Sequence, residues 1–343
     1  MLVVGAGQAG LSAAHTLRRR GLRPGTDLVV LDANPGPGGA WQHRWPSLTL
    51  GRTHRIADLP GLRLGATEPD EPASAVVARY YGDYERRFDL QVQRPVRVRA
   101  VTSPDGPAGR LLVDTDTGSW RTRRLVNATG TWDRPHWPAY PGREHFRGRQ
   151  LHTHDFSSVE DFRGQHVVVV GGGTSAVQFL LQLQDVASTT WVTRHPPEFT
   201  DRPFDAEWGR DVERRVAERV RQGLPPGSVV GSTGLALTPE VREGLASGLL
   251  VAREMFVAIT KDGVRFADGS QVRADAILWA TGFRASLDHL APLRLREPGG
   301  GIRLEGTTVV RDPRVQLVGY GASASTLGAN RAGRVAALSA TAA

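Results

Sequence analysis

Leu2-Val3-Val4-Gly5-Ala6-Gly7-Gln8-Ala9-Gly10 decides the fold of this 343-residue chain. A β-branched run enters a glycine turn, and Leu11, Ala14 and Leu17 then recur at helical spacing as far as Gly21. The stretch therefore reads as strand, tight turn and helix. A second strand, Leu28 to Leu31, ends at Asp32, about 20 residues beyond the turn. Together these are the fingerprint of a dinucleotide site. Gly5 permits the turn, Gly7 lets a pyrophosphate approach the backbone, and Gly10 lets helix and strand pack closely. The phosphates meet the unpaired N–H groups of the helix N-terminus, and the Asp32 carboxylate accepts from a ribose hydroxyl.

The pattern is written twice. Val167 to Val170 lead into Gly171-Gly172-Gly173-Thr174-Ser175-Ala176 and a helical run through Val177, Leu180, Leu181 and Leu183, with Ala176 in the place of the third glycine. The next strand, Thr189 to Thr193, ends at Arg194-His195 instead of an acid. A cation at that point favours a ribose 2′-phosphate, hence NADPH, with NADH as the alternative. Each copy is also echoed. Asn127-Ala128-Thr129-Gly130 follows the strand-like Arg124-Leu125-Val126, and Trp279-Ala280-Thr281-Gly282 follows Ala276-Ile277-Leu278. The similar offsets point to an internal duplication of a whole nucleotide-binding unit.

Composition narrows the chemistry. The length suits about two domains. Without a single cysteine the chain has no structural disulfide, no thiolate metal site and no dithiol relay, which excludes a disulfide reductase. The net charge of +8 comes from scattered arginines, Lys261 being the only lysine, with no basic block; nucleic acid is not an expected partner. No apolar run approaches the length of a membrane span, and the chain begins inside its first strand, so the expectation is a cytoplasmic protein without a signal peptide or membrane partner.

Proline and glycine clusters at 34–39, 104–109, 135–142, 224–227 and 298–301 mark loops. Short strands at Val96 to Val101, Arg110 to Asp114 and Val264 to Phe266 fit meanders, with a turn at Ala267-Asp268-Gly269-Ser270. Residues 73 to 88 read as a helix whose Val76, Val77, Tyr80, Tyr84 and Phe88 pack into the core. Asp205 to Arg221, with Val212, Val216 and Val220 at spacing four, and Thr238 to Gly248 interrupt the second unit, either to cap an active site or to support the fold. The strand-like Gln316-Leu317-Val318-Gly319-Tyr320-Gly321 returns to the first unit, making the second an insertion.

The segment Phe146-Arg147-Gly148-Arg149-Gln150-Leu151-His152-Thr153-His154-Asp155-Phe156 fits F-x-G-x-x-x-H-x-x-x-F. With Gly38-Gly39-Ala40-Trp41, Trp45-Pro46-Ser47-Leu48 and the two Ala-Thr-Gly turns, the chain resembles the flavin-containing monooxygenase family over nearly its whole length, close to small bacterial members with Baeyer–Villiger and sulfoxidation activity. Phe156 stands where the larger Baeyer–Villiger enzymes usually have tryptophan, and Leu48 to Thr53 lacks the asparagine that the flavin-containing branch often has.

The resemblance implies an α/β fold of two Rossmann-like domains, as in glutathione and thioredoxin reductases, with the NADPH domain inserted into the FAD domain. The expected division is 1–156 and 284–343 for FAD and 157–283 for NAD(P)H, with a helical insertion at about 200–250. It implies a monooxygenase in which FAD, reduced by NADPH, takes up O2 as a C4a-(hydro)peroxide and oxygenates a small sulfide, amine or ketone. The cofactor-binding residues implied are Gly5, Gly7, Gln8, Ala9, Gly10, Asp32, Gly39, Ala40, Trp41, Trp45, Val96, Thr129, Gly130, Gly171, Gly173, Thr174, Ser175, Arg194, His195, Thr281 and Gly321. The catalytic candidates are His152 and Arg52.

Alternatives stay open at several of these positions. His152 is a general acid or a hydrogen-bonding hinge, with the hinge favoured by its place between the units. Trp41 and Trp45 face a flavin or pack beneath it, and Arg52 and Arg331 bind an anion or face solvent. His152 and His154 lack the carboxylates of a metal site, so no metal is expected. A flavin reductase serving a quinone or ferredoxin-like acceptor is the rival function, a nucleotide-sensing regulator the third. A homodimer is open.

Overall fold

The computed structural model describes residues 1–53, 56–202, 206–227, 234–324 and 326–342. Two compact units emerge, Met1–Asp133 with Gly209–Gly227 and Ala285–Ala343, and Arg134–Trp208 with Ser228–Arg284.

In the first unit β1 (Leu2–Val4) leads through the glycine turn to α1 (Gln8–Arg19) and β2 (Val29–Leu31). After α2 (Ala73–Arg87), an antiparallel meander of β3 (Val98–Thr102), β4 (Leu111–Thr115) and β5 (Ser119–Thr122) precedes β6 (Leu125–Asn127). β1 lies between β2 and β6, parallel to both, and all three of its side chains are buried, as expected of a strand covered on both faces. The meander starts two residues later than the strand expected from Val96. Pro95 brings no donor, and the Val96 N–H is taken by the Asp32 carbonyl at 2.8 Å, so pairing begins at Val98.

The second unit opens with β7 (Arg149–His152), then β8 (His166–Val170), α3 (Thr174–Leu183) and β9 (Ser188–Thr193). A short parallel ribbon joins β10 (Phe199–Thr200) to β11 (Leu235–Ala236), with α4 (Ala206–Arg221) between them in sequence. α5 (Pro239–Ala246) and β12 (Ala252–Glu254) follow, then the antiparallel β13 (Ala258–Thr260), β14 (Gly263–Arg265) and β15 (Gln271–Arg273), and finally β16 (Ala276–Trp279). The parallel sheet runs β12-β9-β8-β16-β7.

The chain then re-enters the first unit. β17 (Leu304–Glu305), β18 (Thr308–Val309) and β19 (Val315–Leu317) complete a sheet of order β17-β18-β19-β6-β1-β2, and α6 (Thr326–Ala342) packs on α1. Gly333 permits that contact, since a Cβ there would overlap the Ala9 carbonyl oxygen.

Two boundaries differ from expectation. β7 pairs with β16, so 134–156 belongs to the second unit and the division falls at Asp133/Arg134 instead of 156/157. The helical segment read as part of an insertion into the second unit contributes Gly209–Gly227 to the first. Its valine stripe at 212, 216 and 220 is buried, and Val220 joins Leu2, Val4, Leu287, Leu317 and Tyr320 in one apolar cluster. Burying a valine is worth about 2 kcal/mol, which explains the stripe on an otherwise charged helix. Asp205, its expected first residue, lies outside the described residues. Among the described residues no helix is long and apolar enough to cross a membrane.

Candidate cofactor sites

In the first unit three turns converge on bare backbone. A Cβ on Gly5 would overlap the Ala128 carbonyl oxygen, and one on Gly10 would overlap the Gly5 oxygen, so the fingerprint turn is pressed both onto Ala128-Thr129-Gly130 and onto its own helix. Gly39, at φ +54, would carry a Cβ 2.8 Å from the Gly7 Cα, so the Gly38-Gly39-Ala40-Trp41 turn lies against the fingerprint. α1 begins after Gly7 with no capping side chain and no acid in its first turn, which leaves Gln8, Ala9 and Gly10 at a helix start suited to an anion.

Asp32 is buried. Its Oδ2 accepts from Ala6 N at 2.5 Å and its Oδ1 from Asn34 N at 2.8 Å, and each oxygen keeps a lone pair for a ribose hydroxyl. Val96 joins the Asp32 carbonyl from the other side. Trp45 is buried, Trp41 is half-buried against the core, and Ala40 is exposed.

Beyond these turns the structure gathers residues that sequence reasoning missed. Trp132, two residues past Gly130, is stacked on His43 at 5.9 Å between centroids, and the Arg44 guanidinium lies 4.5 Å from its ring centre. Burial pushes the Arg44 pKa down to about 10, and among the described residues no carboxylate pairs with it. α2 backs the glycine turn, where a Cβ on Gly38 would sit 3.2 Å from the Ala78 Cα. One helical turn on from Ala78, the Tyr81 hydroxyl is buried without a hydrogen-bond partner and its pKa is driven up by burial. The bare glycines of these turns, with the half-buried Arg44 guanidinium on Trp132, leave room and charge for an anionic cofactor.

Thr129 is a scaffold residue. Its hydroxyl donates to the Ser286 carbonyl at 2.6 Å and accepts from Asn127 Nδ2 at 3.0 Å, while Asn127 Oδ1 accepts from His289 Nε2 at 2.6 Å. Burial lowers the His289 pKa to about 4, so that ring is neutral. Gly321 is bare where Val220 of α4 approaches, a Cβ there being 2.8 Å from Val220 Cγ2. Arg52 is exposed on the short helix Leu50–Arg52, and Arg331, weighed as an anion binder, is exposed and paired with Glu213.

The second unit repeats the arrangement. A Cβ on Gly171 would overlap the Ala280 oxygen, the same relation as Gly5 to Ala128, and Gly173 starts α3 with no capping side chain and no acid in the first turn. Thr174 and Ser175 are half-exposed there, and Arg194 and His195 stand exposed after β9. Thr281 donates to the His136 carbonyl at 2.5 Å.

His152 is fully buried. Its Nδ1 accepts from His154 N at 3.1 Å and its Nε2 donates to the Gly282 carbonyl at 3.0 Å, which fixes one neutral tautomer; burial lowers its pKa to about 4. The rest of its motif packs too. A Cβ on Gly148 would overlap the Asp275 oxygen and the Phe146 ring, and Phe156 is tilted against Phe179 at 4.5 Å. Among the described residues no cluster of metal-ligating side chains occurs.

Residues 2–230 match the model of the pyridine nucleotide-disulphide oxidoreductase family. The chain belongs to that family. Its disulphide chemistry is not available here, because the chain has no cysteine. A mutant flavin monooxygenase from Stenotrophomonas maltophilia is 37% identical with a TM-score of 0.83, over 99% of this chain and 97% of that one. An indole-3-pyruvate monooxygenase of Oryza sativa subsp. japonica is 28% identical, over 91% of this chain and 82% of its own. Thioredoxin reductase from T. acidophilum, 17% identical with a TM-score of 0.63 over 99% and 96% of the two chains, shares the two-domain fold. The protein is a flavin-dependent monooxygenase of this family.

Proposed function

We propose that the first unit binds FAD, that the second binds NADPH, and that the enzyme oxygenates a small sulfide, amine or ketone with O2. The observation carrying the division of cofactors is the contrast after the two fingerprints: a buried carboxylate at Asp32, two exposed basic side chains at Arg194 and His195. A carboxylate suits an unmodified ribose and repels a 2′-phosphate, whereas a guanidinium grips that phosphate with two donors.

FAD, when bound, supplies the ring that accepts hydride and activates oxygen. The start of α1 receives its pyrophosphate, Gly7 and Gly39 leave room for it, and Arg44 provides a half-buried cation. In the second unit the start of α3 receives the NADPH pyrophosphate and Thr174 and Ser175 border it. His152 acts as a neutral crosslink that sets the Ala280-Thr281-Gly282 turn and is not a proton donor, since both ring nitrogens are engaged. No step is assigned to Arg52.

The test reduces the flavoprotein with NADPH under anaerobic conditions, then admits oxygen with a thioether or a cyclic ketone and counts product against NADPH consumed. Bleaching of the flavin followed by sulfoxide, or by lactone, is expected. If every reducing equivalent appears as hydrogen peroxide and neither product forms, the substrate class is wrong. If the flavin released on denaturation is FMN, the reading of the first unit is wrong.

A further inference from the structure

The glycine turns lie at the carboxyl ends of the parallel strands of the first unit, where ligands of open α/β sheets bind. At the opposite, amino ends, Arg123 and Arg124 precede β6 and Arg314 precedes β19. With Arg110 and the loop 107–109 these arginines line a cavity of about 370 Å³.

Arg314 is the frame of this hollow, and all of its donors are spent. Nε and Nη2 hold the two Asp312 oxygens at 2.8 and 2.7 Å, Nη1 donates to the Gly106 and Gly109 carbonyls, and Nη2 also reaches Ser103 Oγ. That network fixes the loop and uses up the Asp312 carboxylate. The acid on the same loop, Asp105, is paired with Arg121 at 2.7 Å.

The other three cations are different. Among the described residues Arg110, Arg123 and Arg124 have no ion-pair partner, and Arg124 Nε is buried without an acceptor. Like charges gathered on one concave surface destabilise the fold unless an anion joins them. Guanidinium forks match phosphate oxygens in pairs.

We propose that this cavity is a further anion site, for a small phosphate-bearing molecule, separate from both cofactor sites. Condensed inorganic phosphate and the phosphates of a nucleotide share the recognising chemistry, and the experiment separates them.

Holoenzyme saturated with FAD and NADP⁺, so that both fingerprints are filled, is titrated calorimetrically with inorganic pyrophosphate and, separately, with ATP. Sodium chloride at matched ionic strength is the control. Saturable binding of one molecule per chain is expected for at least one probe, with pyrophosphate alone indicating a free condensed phosphate and ATP alone a nucleotide. The exposed pair Arg110→Gln/Arg123→Gln should weaken that binding at least tenfold while flavin content and NADPH oxidation stay unchanged. Arg124→Gln alone should weaken it less, and serves if the double variant is lost on purification. Absence of saturable binding by either probe, or binding that all these variants leave intact, overturns the proposal.

Discussion

The two Ala-Thr-Gly turns are built alike and read differently. In each, the first glycine of a fingerprint presses on the alanine carbonyl. In each, the threonine hydroxyl donates to the carbonyl of an incoming residue, Ser286 or His136, whose own N–H returns to the glycine carbonyl at 2.9 Å. In each a neutral histidine completes the hold, half-buried His289 through Asn127 in the first unit and buried His152 directly on Gly282 in the second. The difference lies in the positions proposed to meet a nucleotide: Gly10 against Ala176, Asp32 against Arg194. The two turns share one scaffold and differ in the residues that flank it.

The comparison breaks most visibly at the third position of the fingerprint. Gly10→Ala places a methyl onto the Gly5 oxygen, so loss of flavin and a stability loss of about 3 kcal/mol are expected. The mirror change, Ala176→Gly, only loosens the start of α3, at about 1 kcal/mol and with flavin retained. Flavin-to-protein ratio and urea midpoint measure both. Equal effects from the two substitutions would mean that the close approach belongs to neither unit in particular.

The histidines come next. A ring whose folded pKa is about 4, against 6.5 when unfolded, binds its proton more readily in the unfolded chain. Its contribution is therefore full above pH 6.5 and is lost as pH falls toward 4, by up to about 3 kcal/mol for fully buried His152 and less for half-buried His289. His152→Gln should flatten the acid limb of a stability-against-pH curve more than His289→Gln does. An unchanged acid limb in both variants contradicts the lowered pKa of these rings.

Recognition residues should move affinity more than stability. Arg194→Gln is expected to lower the preference for NADPH over NADH about tenfold, the effect of one charge-assisted contact, with the urea midpoint unmoved because the side chain is exposed. A preserved cofactor ratio removes Arg194 from the site.

Which of these features the sequence displays follows from distance along the chain. Glycine spacing, the Ala-Thr-Gly echoes and the switch from Asp32 to Arg194 are local patterns and are legible in a row of letters. The allegiance of 209–227 to the first unit is not, since a valine stripe says that a helix is buried and leaves open what it is buried against. Nor is the pairing of His289 with Asn127, the approach of Gly39 to Gly7, or the seat of Arg44 on Trp132, each of which joins separate turns. The Phe146 to Phe156 motif is legible as a pattern, yet its reason, packing around Gly148 and a fixed His152 tautomer, requires partners more than a hundred residues away.

The smallest expected effect concerns Tyr81 of the first unit. Tyr81 keeps a buried hydroxyl unpaired, which costs the flavin-free first unit about 1 kcal/mol or more. Tyr81→Phe should therefore stabilise the flavin-free protein by about that amount. If FAD supplies the missing partner, the same substitution gives no gain in the loaded protein and weakens FAD binding several-fold, so the sign of the effect on stability depends on the cofactor. Melting both forms of both proteins, with FAD affinity measured by fluorescence quenching, decides it. An equal gain with and without FAD would show that the hydroxyl faces protein alone, and the completion of this site by the flavin would then rest on the glycines and Arg44.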